Sequence, residues 1–240
     1  MGGELRLEEI GGGLAVEVSR EHGFGMDAVL LAAFAAPKPD ECACDLGTGC
    51  GIIPLLWCRR QPPIQIDALE IQLEAADMAR RCVKSNRLES RITVHAADLR
   101  DWRAVLQPCA YDVVTMNPPY FARGSGGLSR SQAARIARHE GEGCSFSDVA
   151  GAAYGLIRPG GRFCFCHRPE RLPYVLDVLK SAGLSPRRLG FVHATPQSKP
   201  SLFLCEAGRG SFDELKVLPP FLLNDYNGKP TLEYKSLYDT

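Results

Sequence analysis

Short apolar segments alternate with longer amphipathic segments through most of this 240-residue chain. The apolar runs are short enough for strands, and prolines or polar residues end the helical patterns between them. Strands are predicted at 42–46, 64–69, 92–95, 111–116 and 162–166, and helices at 27–36, 52–60 and 72–86. Because strands that alternate with helices form parallel sheets, the pattern predicts an α/β fold with a doubly wound sheet.

Both ends of the chain depart from this alternation. Apolar and polar residues alternate on either side of three glycines at 11–13, which predicts an N-terminal β-hairpin. Near the other end, runs at 189–193 and 202–206 are joined by a segment too short for a crossover helix. These two runs therefore predict a hairpin that brings one antiparallel strand into the sheet. We expect a single domain, with the hairpin and hinge in 1–26, the core in 27–207 and a tail in 208–240 packed on the core.

The charge of the chain is balanced overall but unevenly distributed. The formal net charge is zero, yet residues 1–120 carry −5, residues 121–200 carry +7 and residues 201–240 carry −2. The basic third quarter contains a segment rich in glycine and arginine at 120–145, which predicts a long loop. This distribution favours an anionic partner that meets one face of the protein.

The composition excludes several classes of protein. No apolar run approaches the roughly 18 residues that cross a bilayer, and the N-terminus has no signal-peptide pattern, so we expect a cytoplasmic protein without a membrane partner. The ten cysteines lie mostly in apolar runs, which is typical of reduced thiols in a protein core. Cys42 with Cys44, and Cys164 with Cys166 before His167, lack the spacing of a zinc site, so we expect no metal.

A glycine-rich loop follows the first strand of the sheet, with the sequence DLGTGCG at 45–51. Its three alternate glycines allow a tight turn that brings a ligand against main-chain N–H groups at a helix N-terminus. The spacing differs from the dinucleotide fingerprint, and the lysine of a phosphate-binding loop is missing. The carboxylate of Asp45 would repel a pyrophosphate, whereas it suits an ammonium or sulfonium group.

Acidic residues also follow the next two predicted strands. Glu70 ends the second strand, where a carboxylate can accept hydrogen bonds from two ribose hydroxyls, and Asp98 follows the third, where it can accept from an adenine amine. Because the carboxyl ends of parallel strands share one edge of the sheet, we expect both acids to lie beside the glycine loop.

The fourth strand is followed by Asn117, Pro118, Pro119 and Tyr120. The two prolines stiffen the loop and fix the direction of the asparagine amide and of the neighbouring carbonyls. Oxygens of Asn117 and Pro118 that accept the two protons of an exocyclic amine would draw its nitrogen toward tetrahedral geometry. The ring of Tyr120 can stack on a base that has left its neighbours. The tetrapeptide can therefore hold a planar substrate that carries an amine.

The glycine loop resembles the first motif of S-adenosylmethionine-dependent methyltransferases, and the tetrapeptide resembles that of enzymes that methylate exocyclic or amide nitrogens. The tetrapeptide stands in a series of segments that occur in the order 27–34, 117–120, 138–140 and 216–220. With this series, the chain is similar to the bacterial tRNA adenine-N6 methyltransferases that modify the adenine 3′ of the anticodon in valine tRNA. The resemblance implies the Rossmann-like, seven-stranded sheet of class I methyltransferases, S-adenosylmethionine as cofactor, a tRNA substrate, and a monomer or weak dimer.

The resemblance also implies roles for individual residues. Cofactor binding is expected at Asp45, Gly47, Thr48, Gly49, Gly51, Glu70, Asp98, Leu99 and Asn117. Catalysis is expected at Asn117, Pro118 and Tyr120, and substrate binding at Tyr120, Phe121, Arg123, Arg138 and His139. Cys50 stands where many relatives have serine, and it supplies the same backbone N–H. Arg130 and Arg135 belong to the same basic loop, and Arg187, Arg188 and Lys199 are candidates to extend a phosphate-binding track beyond it.

Three alternatives remain open at this stage. A protein glutamine N5-methyltransferase uses the same tetrapeptide because a carboxamide also presents an NH₂ group, although those enzymes resemble a design with a helical domain ahead of the glycine loop. Here 44 residues, including a hairpin, precede Asp45. A methyltransferase acting on the guanine N2 amine of ribosomal RNA is the second alternative. The third is a catalytically silent RNA-binding module, against which the complete acids and the intact Asn117 argue.

Overall fold

The structure, a computed structural model, describes residues 5–59, 62–118, 144–210 and 214–238. The strands in these ranges are β1 (Arg6–Gly11), β2 (Leu14–Val18), β3 (Cys42–Leu46), β4 (Gln65–Glu70), β5 (Ile92–Ala96), β6 (Tyr111–Met116), β7 (Ile157–His167), β8 (Leu184–His193), β9 (Pro200–Arg209), β10 (Lys216–Val217) and β11 (Phe221–Leu222). The α-helices are α1 (Met26–Ala35), α2 (Ile52–Trp57), α3 (Leu73–Ser85), α4 (Phe146–Leu156), α5 (Leu172–Ser181) and α6 (Leu232–Ser236).

One large sheet organises the molecule. Its seven longer strands follow the order β5-β4-β3-β6-β7-β9-β8, and all neighbours are parallel except β9, which is antiparallel to both β7 and β8. This arrangement confirms the predicted doubly wound α/β sheet with one reversed strand. The short β10 and β11 pair in parallel with β8, so the tail adds two strands to the sheet.

The two faces of the sheet carry separate hydrophobic cores. On one face, α1, α2 and α3 bury residues such as Leu31 and Leu55, which are fully enclosed. On the other, α4, α5 and a 3₁₀ helix at Leu99–Ala104 cover Phe163 and Phe165. Burying one such side chain contributes about 2 kcal/mol, so the covered faces hold the strand ends in place.

The N-terminal hairpin is anchored to the core through α3. Asn86, at the C-terminal end of α3, accepts a hydrogen bond from the backbone N–H of Ala15 at 3.0 Å and donates to its carbonyl at 2.6 Å. The amide thus acts as an added partner for the edge strand β2. An ion pair of 2.8 Å between Arg81 and Glu17 reinforces this contact.

Some boundaries differ from the predicted ones. Helix α2 ends at Trp57, before the predicted residue 60. Strand β7 begins at Ile157, before the predicted residue 162, and its register with β6 jumps from Ile157 to Arg162, so the residues between them are looped out within a longer strand. The tail contains the short helix α6.

The cysteines of the described residues are free thiols, and six of the ten are buried. This supports their interpretation as small core residues. Within the described ranges, no helix is both long and apolar enough to span a membrane.

Candidate cofactor and catalytic site

The glycine loop, Glu70 and Asn117 meet at the carboxyl edge of the sheet. The last residue of β3, Leu46, lies opposite Leu69 of β4 on one side and Met116 of β6 on the other. The glycine loop, Glu70 and Asn117 follow directly on these three positions. The parallel register therefore brings them together, as the sequence predicted.

The glycines of the loop all have positive φ, at 65° for Gly47, 58° for Gly49 and 83° for Gly51. A methyl group on Gly47 would lie 3.2 Å from Met116 Cε, and one on Gly51 would lie 3.2 Å from Ala79 Cβ. A methyl group on Gly49 would meet nothing within 4 Å, so this part of the loop faces open space. The loop thus packs against the strand that leads into Asn117 and leaves an open cradle at its centre.

Glu70 connects the glycine loop to the next helix. Its carboxylate accepts hydrogen bonds from the backbone N–H of Gly49 and of Gln72, both at 2.9 Å, and its side chain is buried. A carboxylate has about four acceptor positions, so these two bonds leave room for two more. Glu70 therefore holds the loop in shape and retains capacity for a pair of ligand hydroxyls.

Asp45 is a buried carboxyl group, 1% exposed, at the centre of the sheet edge. Thr115, its cross-strand neighbour, donates a hydrogen bond of 2.6 Å to Oδ1. Among the described residues, no group bonds Oδ2, although the Thr48 hydroxyl is near enough to stabilise the charge. Burial is the main reason that the Asp45 pKa rises from 3.8 to about 7, and the nearby Glu70 adds to the effect.

Asp98 has a structural role as the cap of a helix. Its side chain caps the 3₁₀ helix by accepting from the Arg100 backbone N–H at 2.8 Å, and the Arg100 guanidinium binds both carboxylate oxygens. These hydrogen bonds lower the pKa of Asp98 and keep it ionised. Leu99, its neighbour, is buried under the same turn. Recognition of an adenine amine by Asp98 remains a prediction, and it requires the Arg100 side chain to share or release an oxygen.

Asn117 and Pro118 lie half-buried immediately after β6. The thiol of Cys166, in β7, donates a hydrogen bond of 3.2 Å to Asn117 Oδ1. Sequence reasoning interpreted Cys166 as a core thiol without a metal and missed this contact, because it depends on the pairing of β6 with β7.

His167, the last residue of β7, is a second residue whose surroundings sequence reasoning missed. Its ring stacks on Phe203, with centroids 6.2 Å apart, and meets the edge of Phe146 at 5.8 Å. Burial, together with the charges of Arg171 and Arg168, lowers the pKa of His167 to about 4. The imidazole is therefore neutral at physiological pH and forms part of an aromatic wall at the carboxyl end of β7.

The predicted substrate-binding residues lie outside the described ranges. These are Tyr120, Phe121, Arg123, Arg138 and His139, together with Pro119, Arg130 and Arg135 of the same segment. Their roles remain predictions.

The three residues predicted to extend the basic track beyond the loop differ in their surroundings. Arg188 donates to Glu206 at 2.8 Å and lies over the Phe34 ring at 4.5 Å, so it serves the packing of β8 on α1 and does not extend the track. Arg187 packs against Gly208, where an added methyl group would lie 2.2 Å from its guanidinium carbon. Lys199 is exposed.

The chemistry of the site favours a cofactor with hydroxyl groups and a positive centre. Two carboxyl groups line the loop, and one buried oxygen of Asp45 has no hydrogen-bond partner among the described residues. A phosphate would meet charge repulsion there, whereas a cation would be attracted to Asp45 and a ribose to Glu70. The residues present thus fit an S-adenosylmethionine molecule.

Comparison with known proteins finds similarity to methyltransferases. The family model described as "Methyltransferase small domain" matches residues 25–137. The tRNA1(Val) (adenine(37)-N6)-methyltransferase of Aeromonas salmonicida is 34% identical over 139 residues, which cover 58% of this chain and 56% of that protein. The protein of the same name from Parabacteroides distasonis is 29% identical over 183 residues, or 76% of this chain and 75% of that one. The chain thus spans little more than half of the first relative and three quarters of the second.

Solved structures share the fold. A protein described as a predicted O-methyltransferase from Agrobacterium tumefaciens superposes with a TM-score of 0.71 at 24% identity, covering 89% of this chain and 96% of that one. TrmN from Thermus thermophilus superposes with a TM-score of 0.54 at 20% identity, covering 76% and 48%. At these identities the likeness shows the class I methyltransferase fold alone.

Proposed function

We propose that the chain is a methyltransferase that methylates the N6 amine of an adenine in tRNA, on the basis of the match of residues 25–137 to the methyltransferase small-domain model. S-adenosylmethionine is the proposed methyl donor, and the adenine next to the anticodon of a valine tRNA is the proposed target. The names of the relatives from Aeromonas and Parabacteroides support this substrate. A tRNA substrate also favours a cytoplasmic location.

The glycine loop and two acids form the proposed cofactor site. When bound, S-adenosylmethionine supplies a methyl group on a sulfonium, which an amine nitrogen can attack. Glu70 has acceptor positions free for the ribose hydroxyls, and the open cradle at Gly49 gives the cofactor room. Asp45 attracts the positive charge, and a bound cation would favour its ionised form over the protonated one.

The observation that carries the proposal is the position of Asn117 at the same edge of the sheet as the glycine loop. Met116 lies opposite Leu46 and packs beside Gly47, and Asn117 is the next residue after it. Oxygens of Asn117 and Pro118 are proposed to accept the two amine protons and to aim the nitrogen lone pair at the methyl group. The methylated nitrogen becomes cationic and releases a proton to water, so no strong base is needed.

His167, at the carboxyl end of β7, fits this scheme. With a pKa of about 4 its ring is neutral at physiological pH, and it stacks with Phe203 to make a flat apolar wall. A base turned out of its stack requires such a surface, since unstacking costs a few kcal/mol that aromatic contacts offset. We propose that this wall borders the adenine pocket.

The proposal is tested by separating catalysis from cofactor binding at Asn117. Because the amide is proposed to act mainly in the transition state, Asn117→Ala should lower kcat about 100-fold or more and leave the cofactor Kd within a few-fold of the wild type. Transfer of labelled methyl groups to tRNA gives kcat, and calorimetry gives Kd. An Asn117→Ala enzyme with wild-type kcat would refute the mechanism.

A further inference from the structure

Cys166 and Asn117 occupy facing positions on neighbouring strands. In the parallel register of β6 and β7, Thr115 lies opposite Cys164 and Met116 lies opposite Phe165. Continued by one residue, this register places Asn117 opposite Cys166. The Cys166 thiol is fully buried and donates a hydrogen bond of 3.2 Å to Asn117 Oδ1.

The thiol itself is held firmly. Strand β7 lies between β6 and β9, and Cys166 is paired with Leu204 of the antiparallel strand β9. Asn117, in contrast, is the first residue after its strand, and the torsion that rotates an asparagine amide is soft. A donor fixed in the sheet therefore restrains the more mobile of the two side chains.

The orientation of this amide decides whether it can help the reaction. Its oxygen can accept an amine proton, whereas its NH₂ group, if turned toward the substrate, would face the amine with a second donor. A carbonyl oxygen has two acceptor positions, so a bond from the thiol does not by itself exclude a bond from the substrate amine. The thiol therefore favours the orientation in which the oxygen is aligned with it.

We propose that Cys166 is a positioning residue that holds the Asn117 amide in its productive orientation. This inference rests on the proposed methyl transfer to an amine. The thiol does not touch the substrate in this account, and it acts only through Asn117.

The test uses three variants of the full-length protein. Cys166→Ala removes the donor, and Cys166→Ser keeps a donor at the same place. Cys205→Ala is the matched control, because Cys205 is another fully buried thiol, lies one strand away in β9, and belongs to the core on the opposite face. Thermal unfolding establishes that each variant is folded before its kinetics are measured.

A role in positioning predicts a specific pattern of kinetics. Cys166→Ala should lower kcat about 5- to 20-fold, the effect of losing one hydrogen bond, while KM for tRNA and the cofactor Kd change less than about 2-fold. Cys166→Ser should recover most of kcat, and Cys205→Ala should keep it. Wild-type kcat in Cys166→Ala, no recovery in Cys166→Ser, or an equal loss in Cys205→Ala would each overturn the proposal.

A second measurement does not depend on activity. The side-chain amide of Asn117, assigned by its absence from the NMR spectrum of Asn117→Ala, should shift and broaden in Cys166→Ala and stay close to wild type in Cys166→Ser and Cys205→Ala. An unchanged amide signal in Cys166→Ala would show that the thiol does not restrain Asn117. If the wild-type protein does not methylate tRNA, the proposed function fails, and the amide signal still decides whether this contact restrains the amide.

Discussion

A buried acid in the cofactor site should cost the protein stability, and Asp45→Asn measures that cost. Folded Asp45 keeps its proton up to about pH 7, whereas the unfolded chain releases it near pH 3.8. Between these values the folded state binds more protons than the unfolded state, so stability falls as pH rises toward 7 and is constant above it. Between pH 5 and pH 9 the free energy of unfolding of the wild type falls by about 3 kcal/mol, because roughly two pH units of this range lie below the folded pKa of Asp45.

Asparagine has nearly the same shape and no charge to bury. Its oxygen can still accept from Thr115, and its NH₂ group replaces the unbonded Oδ2 and can donate toward Thr48. The difference in unfolding free energy between Asp45→Asn and wild type should therefore grow in favour of the variant by about 3 kcal/mol between pH 5 and pH 9. Urea unfolding without cofactor measures this difference at each pH. The same variant should bind S-adenosylmethionine more weakly, because the attraction for its positive charge is lost.

The pH dependence is the decisive part of this experiment. A difference between variant and wild type that stays constant from pH 5 to pH 9 would show that Asp45 is ionised throughout, and the account of its burial would be wrong. Thr115→Val serves as a control, since it removes the hydrogen bond to Oδ1 and should raise the Asp45 pKa further.

Three further predictions address other parts of the site and the fold. Glu70→Ala should weaken cofactor binding roughly 5- to 150-fold, or about 1–3 kcal/mol, and unchanged affinity in calorimetry would contradict the ribose assignment. Gly155→Ala should lower the free energy of unfolding by about 1–3 kcal/mol, because its new methyl group would lie 2.4 Å from Trp102 Cζ2; an unchanged urea midpoint would argue against this packing. Tyr120→Phe should keep most methyl-transfer activity and Tyr120→Ala should lose it, whereas equal activities would exclude stacking on the base.

The local parts of the site could be predicted from the sequence. The positive φ of Gly47, Gly49 and Gly51 follows from a glycine-rich turn between a strand and a helix, and the meeting of this loop with Glu70 follows from parallel strands. The order of the seven long strands was implied only by the family resemblance.

The contacts between distant residues could not be predicted. The bond from Cys166 to Asn117 and the aromatic wall at His167 require the pairing and register of β6, β7 and β9, which no local pattern specifies. The pairing of Arg188 with Glu206 likewise depends on the hairpin register and on the position of α1. A count of basic residues in sequence cannot separate such a structural arginine from one that binds phosphate.

The central claim, methyl transfer to adenine N6 in tRNA, is tested most directly by mass spectrometry. Bulk tRNA and purified valine tRNA are incubated with the protein and S-adenosylmethionine that carries an isotopically labelled methyl group, and the nucleosides and nuclease fragments are analysed. The account predicts labelled N6-methyladenosine confined to the fragment that contains the anticodon of valine tRNA, and none with Asn117→Ala. Label in a protein glutamine or in the guanine of ribosomal RNA, with none in tRNA, would contradict it.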